Sequence, residues 1–270
     1  MMLETGRTVD LGSFHATPES VDEYLRSVGD ELPVYREAGI APPLYSAAKA
    51  LGALLTKLEL PPGAIHSLQE IETLAPIGIA GEIIVSAYLE KPRRRAGLEF
   101  LTAVCTIESG GVEALRSKTT VLLPSGEPAQ EPVKGQQSGE RKPAESGLPV
   151  VTRQINQEQL NAYAVASGDD NPLHLDAGFA AGTQFGGIIA HGMLTLAFIS
   201  EMMTGAHGRD WLESASLRVR FKGAAYLGDQ VDTTASLTKE GESSLTYSVG
   251  AINSASGQEL IAGSAGVSVR

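Results

Sequence analysis

An acidic side chain and an imidazole lie five positions apart in the run Ser167-Gly168-Asp169-Asp170-Asn171-Pro172-Leu173-His174. The Asn171-Pro172 step between them is incompatible with one continuous helix, so the chain has to turn there. Such a turn lets Asp169 and His174 converge on one small space, where the two groups can exchange protons with a bound molecule. The sequence therefore predicts general acid–base chemistry in this run.

A second candidate group lies downstream, at Ala190-His191-Gly192-Met193, where a long apolar helix is predicted to begin. The first backbone N–H groups of a helix lack intrahelical acceptors and face a favourable dipole, so they can stabilise an anionic oxygen. Gly192 has no side chain and would let a carbonyl oxygen approach its amide closely. For His191 we expect a structural role, a hydrogen bond to neighbouring backbone.

The elements that position these residues occur twice in the chain. Residues 17–39 align with residues 156–178 at an offset of 139, and both stretches begin with a helix-capping side chain, Thr17 or Asn156. Each is followed by a long apolar helix, over Ala41 to Leu58 and Ala190 to about Gly205. This pattern predicts one structural unit used twice.

Each unit continues in alternating apolar and polar residues, which is typical of β-strands. The strands predicted in this way are Ile83–Leu89, Leu98–Thr102 and Lys118–Leu123 in the first unit, and Val231–Leu237, Leu245–Val249 and Gly263–Val269 in the second. The long helix is the apolar body available to cover one face of each sheet. The predicted fold is α+β, a tandem hot-dog in which each curved antiparallel sheet wraps around a central helix.

The predicted domains are a first hot-dog over residues 1–124, a flexible linker over 125–147 and a second hot-dog over 148–270. The linker assignment rests on a stretch rich in Pro, Gly, Ser, Gln and Glu without periodicity.

Composition excludes several classes of protein. The formal charge of −11 disfavours a nucleic-acid partner, and the longest apolar segments are too short to cross a membrane. The single cysteine, Cys105, allows no internal disulfide, and the five histidines lack metal-ligand spacing. Residues 1–12 lack the apolar core of a signal peptide. We therefore expect a cytoplasmic protein without a metal site.

Two motifs of the second unit resemble a known family. Gly168-Asp169-Asp170-Asn171-Pro172-Leu173-His174 and the downstream His191-Gly192 closely resemble the hydratase-2 motif of MaoC-like hydratases. The resemblance continues in Leu217–Gly223 and Gly228-Asp229 and covers the second unit almost completely. The first unit resembles the family's N-terminal half more weakly.

The resemblance implies a lyase of fatty acid metabolism that reversibly hydrates 2-enoyl-CoA to (R)-3-hydroxyacyl-CoA, with neither metal nor redox cofactor. It makes Asp169 and His174 the catalytic pair, while Asn171 supports the loop and the Gly192 amide faces the thioester oxygen. The acyl carrier, coenzyme A or acyl carrier protein, stays open, as do the acyl chain, the direction in the cell and which of the pair takes the first proton. A homodimer of such two-unit chains is compatible with this interpretation.

Comparison of the repeats predicts one site per chain. Asp30 corresponds to Asp169, but Tyr35 replaces His174, Leu32 replaces Asn171 and Pro43-Leu44 replaces His191-Gly192. The first unit is therefore predicted to be non-catalytic and to supply part of the acyl channel.

Two other functions remain open on the sequence. A hot-dog thioesterase would hydrolyse the same kind of substrate without needing the Asp-Asn-His turn. A non-catalytic acyl-thioester-binding protein would require Asp169 and His174 to lie far apart.

Overall fold

The computed structural model describes residues 5–58, 60, 64–95, 98–123 and 147–270. Nearly all of the predicted linker, residues 125–146, lies outside these residues, so the domain boundaries stay a prediction.

The helices follow the predicted order in both halves of the chain. Those of the first half are α1 (Pro18–Val28), α2 (Val34–Ala38) and α3 (Pro43–Lys57), and those of the second half are α4 (Gln157–Ser167), α5 (Pro172–Leu175), α6 (Ala177–Ala181), α7 (Gly192–His207) and α8 (Arg209–Ser214).

The strands supply the remaining regular structure. They are β1 (Thr8–His15), β2 (Ile65–Thr73), β3 (Glu82–Leu89), β4 (Arg93–Arg95), β5 (Leu98–Ser109), β6 (Val112–Leu123), β7 (Thr152–Gln154), β8 (Ser216–Phe221), β9 (Gln230–Glu240), β10 (Ser244–Asn253) and β11 (Glu259–Ser268).

Local sequence explains where the repeated first helix begins and ends. Thr17 caps α1 and Asn156 caps α4, each accepting a hydrogen bond from the backbone N–H three residues later. Gly29 and Gly168 end the same helices in the left-handed conformation, with φ of 76° and 81°. The Asp that follows each glycine is thereby placed at the same point of each unit.

One continuous antiparallel sheet joins the two units, in the order β1-β3-β5-β6-β2-β8-β11-β10-β9-β7, with β4 paired to β5. The join is the pairing of β2 with β8, from Leu68 opposite Arg220 to Glu72 opposite Ser216. The long helices α3 and α7 are largely buried and contact both each other and the sheet. The predicted tandem hot-dog fold is confirmed.

The sequence patterns missed several elements. Strands β1 and β2 were not predicted, and each contains a β-bulge that interrupts the alternation of apolar and polar residues, at Asp10/Gly12 and at His66/Leu68. The short helices α2, α5, α6 and α8 were treated as connections. In the part of the chain that the structure describes, no helix combines the length and the apolar character needed to cross a membrane.

Candidate active site

Asp169 and His174 lie close together at the predicted turn. Asp169 follows the glycine that ends α4, and His174 lies on the single turn of α5, which begins at Pro172. Asn171 caps α5 by accepting a hydrogen bond from the Leu173 amide at 3.1 Å, and its own N–H donates to the Asp169 carboxylate at 3.4 Å. The turn thus holds the acid and the imidazole beside each other.

The hydrogen bonds of His174 fix which ring nitrogen remains for chemistry. Its Nδ1 lies 2.8 Å from the Ile189 carbonyl oxygen, which can only accept, so Nδ1 carries the proton. The other nitrogen, Nε2, therefore has the lone pair and can accept a proton. The side chain is only 7% exposed, which keeps the ring in this orientation.

His191 packs against His174 and contacts the same turn. The two imidazole rings lie 3.9 Å apart between centroids and are tilted by 32°. His191 Nε2 donates to the Asp169 carbonyl oxygen at 3.1 Å, which ties the start of α7 to the loop. This is the kind of backbone contact that the sequence predicted for His191.

Burial changes the protonation of all three groups. It raises the pKa of Asp169 from its ordinary value, although the neighbouring His174 opposes the change. Burial lowers the pKa of His174, opposed by Asp169, and lowers that of His191 well below the usual imidazole value. Burial therefore shifts the carboxyl group towards its protonated form and both imidazoles towards their neutral forms.

These side chains lie at a pocket of about 300 Å³ that is shared by the two units. The first unit contributes α3, β2 and β6, and the second contributes the turn from Asp169 to His174, the start of α7 and β8. Apolar side chains form most of the wall, among them Leu51, Leu55, Ile65, Val121, Leu173, Phe185, Ile189, Met193, Phe221 and Leu260. The pocket has the apolar character of an acyl-binding site, and its size lies near the lower end of ligand cavities.

Gly192 lines this pocket as the first residue of α7. A Cβ atom at this position would lie 3.1 Å from Cε1 of Phe221, so the glycine leaves room between the helix start and the aromatic ring. Its N–H belongs to the first turn of a 16-residue helix, where intrahelical acceptors are missing. The predicted donor is thus at the pocket that holds Asp169 and His174.

The sequence does not predict the close contact between the first unit and the backbone of Ser167 and Gly168, directly before Asp169. A Cβ atom on Gly52 of α3 would lie 2.3 Å from the carbonyl oxygen of Ser167 and 2.9 Å from the carbonyl carbon of Gly168. No side chain fits there, so α3 touches the backbone that carries Asp169. The sequence shows only a small residue in a buried helix, because the contact joins positions far apart in the chain.

The fold also gathers possible metal ligands that histidine spacing along the sequence does not reveal. One ligand atom each of Asp169, His174 and His191 lies within 4.8 Å of the others. The hydrogen bonds above leave His174 Nε2, His191 Nδ1 and the Asp169 carboxylate as the three groups that could face a cation, and His191 Nδ1 is buried without a partner.

The corresponding place in the first unit is filled by side chains of both units. Tyr35 donates to the Asp30 carboxylate at 2.5 Å, and both residues are buried. Arg153 bridges the Gly29 carbonyl oxygen and the Glu201 carboxylate, at 2.6 Å in each case. In the first unit the Asp30 carboxylate is thus occupied by Tyr35, and the absence of catalysis from this unit stays a prediction.

We expect Tyr35→Phe to lower stability and to leave turnover nearly unchanged. The substitution removes a buried donor to Asp30 and should lower the free energy of unfolding by about 1–3 kcal/mol. Urea unfolding and hydration of crotonyl-CoA measure the two quantities, with Tyr88→Phe on the exposed sheet surface as the control. A large loss of turnover at normal stability would instead make the first unit catalytic.

The sequence is similar to several proteins named as dehydratases or hydratases of acyl thioesters. Residues 139–256 match the family described as MaoC like domain. The chain is 28% identical to 3-hydroxyacyl-thioester dehydratase X of Mycobacterium tuberculosis, over 72% of this chain and 68% of that protein. It is 32% identical to an (R)-specific enoyl-CoA hydratase of Aeromonas caviae, over 33% of this chain and 66% of that enzyme. It also matches 58% of the length of 3-hydroxyacyl-thioester dehydratase Z of Mycobacterium tuberculosis, at 36% identity over 31% of this chain.

Solved structures share the fold over almost the whole chain. HtdX of Mycobacterium tuberculosis superposes with a TM-score of 0.72 at 22% identity, covering 96% of this chain and 99% of that one. A second protein of that organism, described as a double hotdog fold, gives a TM-score of 0.65 at 12% identity, covering 98% and 96%.

The continuous sheet around two central helices, with an acid–imidazole pocket between the units, defines a double hot-dog protein with a site of acid–base type. Within that class, the family match over residues 139–256 covers most of the second unit. The second unit therefore carries a MaoC-like domain.

Proposed function

We propose that the protein catalyses the reversible hydration of 2-enoyl-CoA to (R)-3-hydroxyacyl-CoA, with Asp169 and His174 as the catalytic pair. The observation that carries the proposal is their placement with Gly192 at one apolar pocket, with an imidazole nitrogen of His174 and a carboxylate oxygen of Asp169 within 4.8 Å of each other. The names of the relatives, dehydratases and hydratases of acyl thioesters, support the same reaction.

Hydration needs a base for the water and an acid for the α-carbon. In the proposed step the His174 Nε2 lone pair takes a proton from the attacking water, whose oxygen bonds to the β-carbon. The Asp169 carboxyl group, whose raised pKa favours its protonated form, then gives its proton to the α-carbon. Proton transfer from the His174 imidazolium to the Asp169 carboxylate restores both groups, and the two act as one unit.

Attack at the β-carbon moves electron density onto the thioester oxygen, which then needs a donor. We assign this role to the Gly192 N–H at the start of α7, where the helix dipole favours negative charge. A donor of this kind is worth about 3–4 kcal/mol of barrier. Water and α-carbon proton come from the same side of the bound alkene, because Asp169 and His174 are adjacent, so we expect syn addition.

The first unit contributes binding in this proposal. Leu51 and Leu55 of α3 face the pocket and would contact the acyl chain, while Asn171 keeps the catalytic turn in place.

We further propose a cytoplasmic enzyme that acts on thioesters of coenzyme A or acyl carrier protein and pairs into a homodimer of two-unit chains. The absence of a cysteine pair in the sequence is consistent with that compartment.

The test is a panel of 2-enoyl-CoA esters of increasing chain length, with the configuration of the product determined. We expect hydration of crotonyl-CoA or a longer ester to the (R)-3-hydroxyacyl product. Release of free coenzyme A without hydration would favour a thioesterase. Binding of the esters without turnover would favour a non-catalytic acyl-thioester-binding protein.

A further inference from the structure

The wall of the pocket contributed by β2 carries a histidine because of a β-bulge. Gln69 and Ile71 point into the core, and strict alternation would place Ser67 on the same inner face and His66 outside. The register shifts between His66 and Leu68, so that His66 instead lies opposite Val121, whose side chain faces the pocket. Bulges of this kind re-aim a side chain, and here the side chain lines the pocket.

His66 belongs to a polar network between β2 and β6. Its Nε2 lies 3.0 Å from Gln69 Oε1, which also accepts a hydrogen bond from Thr119 Oγ1 at 2.7 Å. Gln69 is fully buried and donates to Ser117 Oγ at 2.8 Å. Because the amide of Gln69 behind them is satisfied, His66 and Thr119 are held rigidly at the pocket surface.

The neighbouring strand of the other unit has no counterpart to this network. The inward side chains of β8, the strand paired with β2, are Leu217, Val219 and Phe221, all apolar. The fold is therefore compatible with an apolar wall at this place. The buried polar network between β2 and β6 is not required by the fold and calls for a functional explanation.

The hydrogen bonds within the network determine which kind of ligand group it can bind. Gln69 Nε2 is the donor to Ser117 and to the Glu70 carbonyl, so Oε1 faces His66, which donates its Nε2 proton to it. Burial lowers the pKa of His66 to about 4, which leaves the ring neutral. His66 also contacts the Leu68 backbone, and since His66 and Thr119 have given their protons to Gln69, the network presents acceptor atoms to the pocket. The matching group is an uncharged donor, and a hydroxyl group is the simplest.

The network lies a short way along the pocket from the reacting end. Phe221 contacts the Gly192 position with its ring edge and packs against the His66 ring at a centroid distance of 4.4 Å. An acyl chain whose thioester lies at Gly192 would therefore pass Phe221 and reach His66 and Thr119 with its distal carbons.

We propose that this enzyme selects 2-enoyl thioesters that carry a hydroxyl group on the distal part of the acyl chain, bound by His66 and Thr119. The inference rests on the proposed function and adds the substrate class. Since Gln69 already satisfies both side chains, an unsubstituted chain leaves no group unpaired, and the preference should be moderate. One hydrogen bond of this kind corresponds to about a tenfold effect on kcat/KM.

The experiment compares hex-2-enoyl-CoA with 6-hydroxyhex-2-enoyl-CoA, and the corresponding octenoyl pair, in the wild-type enzyme and three variants. We expect the wild type to favour the hydroxylated ester of at least one pair about tenfold in kcat/KM. His66→Leu and Thr119→Val should reduce that ratio to about one. The control is Ser67→Ala, the neighbouring residue whose hydroxyl donates to the Thr120 carbonyl, and it should retain the ratio.

Each ratio compares two esters on the same variant, so a general loss of activity does not change it. If His66→Leu does not fold, Thr119→Val alone provides the test, because valine keeps the shape of the threonine side chain. A wild-type ratio of one or less in both pairs, or a ratio that neither substitution changes, overturns the inference while leaving the hydratase activity standing. Failure of the wild type to hydrate any enoyl-CoA ester overturns the proposed function as well.

Discussion

Asp169→Asn and His174→Ala are expected to lower the turnover of crotonyl-CoA by a factor of about 100 to 10,000 each, the range for loss of a general acid or base. The asparagine cannot deliver an acidic proton to the α-carbon, and the alanine removes the Nε2 lone pair that would accept one from water. Steady-state hydration rates, followed by the absorbance of the conjugated thioester, measure the effect.

The matched control is Asp170→Asn, which removes the adjacent, exposed carboxylate. It should leave turnover within about threefold of the wild type, because an exposed charge has only a weak effect on its neighbours. Thermal unfolding checks that each variant is folded. If both Asp169→Asn and His174→Ala keep most of their turnover, the two residues have no part in the chemistry.

Gly52→Ala is expected to lower turnover by about 100-fold, although residue 52 belongs to the first unit, because a displacement of about 1 Å at a reacting group has that effect. The new Cβ atom would meet the Ser167 carbonyl oxygen at 2.3 Å, so either α3 or the turn that carries Asp169 must move. We also expect the free energy of unfolding to fall by about 1–3 kcal/mol.

Gly205→Ala is the control for this substitution, because it adds the same methyl group to the other long helix, α7. There the Cβ atom would lie 3.5 Å from Pro149 and 3.9 Å from Leu32, which is ordinary contact. A positioning role for Gly52 predicts a lower kcat and a changed pH profile of kcat, since the environment of Asp169 changes. Loss of stability with an unchanged kcat and pH profile would limit Gly52 to packing.

The elements set by short-range patterns were predictable from the sequence. The caps Thr17 and Asn156, the apolar helices α3 and α7 and most of the alternating strands depend on neighbouring residues, and the structure agrees with them. The turn from Asp169 to His174 is also local, which is why its residues could be identified as candidate site residues without knowledge of the fold.

The features that the sequence did not reveal depend on distant contacts or on irregular backbone. The bulge at His66 interrupts the alternation of apolar and polar residues in β2. The sequence therefore predicts neither this strand nor the position of His66 at the pocket wall. Gly52 becomes informative only when the fold brings it to Ser167. The grouping of His191 with Asp169 and His174 likewise arises from packing α7 against the turn.

The pairing of β2 with β8 has a consequence for a chain cut between its two halves. A fragment that begins after the linker would keep Asp169, His174 and Gly192 but would expose the open edge of β8 and lose the helix that closes its pocket. Such a fragment could cover that edge by pairing with a second copy of itself. Pairing of two copies depends on concentration, and fusion of two units into one polypeptide removes that dependence and lets the first unit differ from the second.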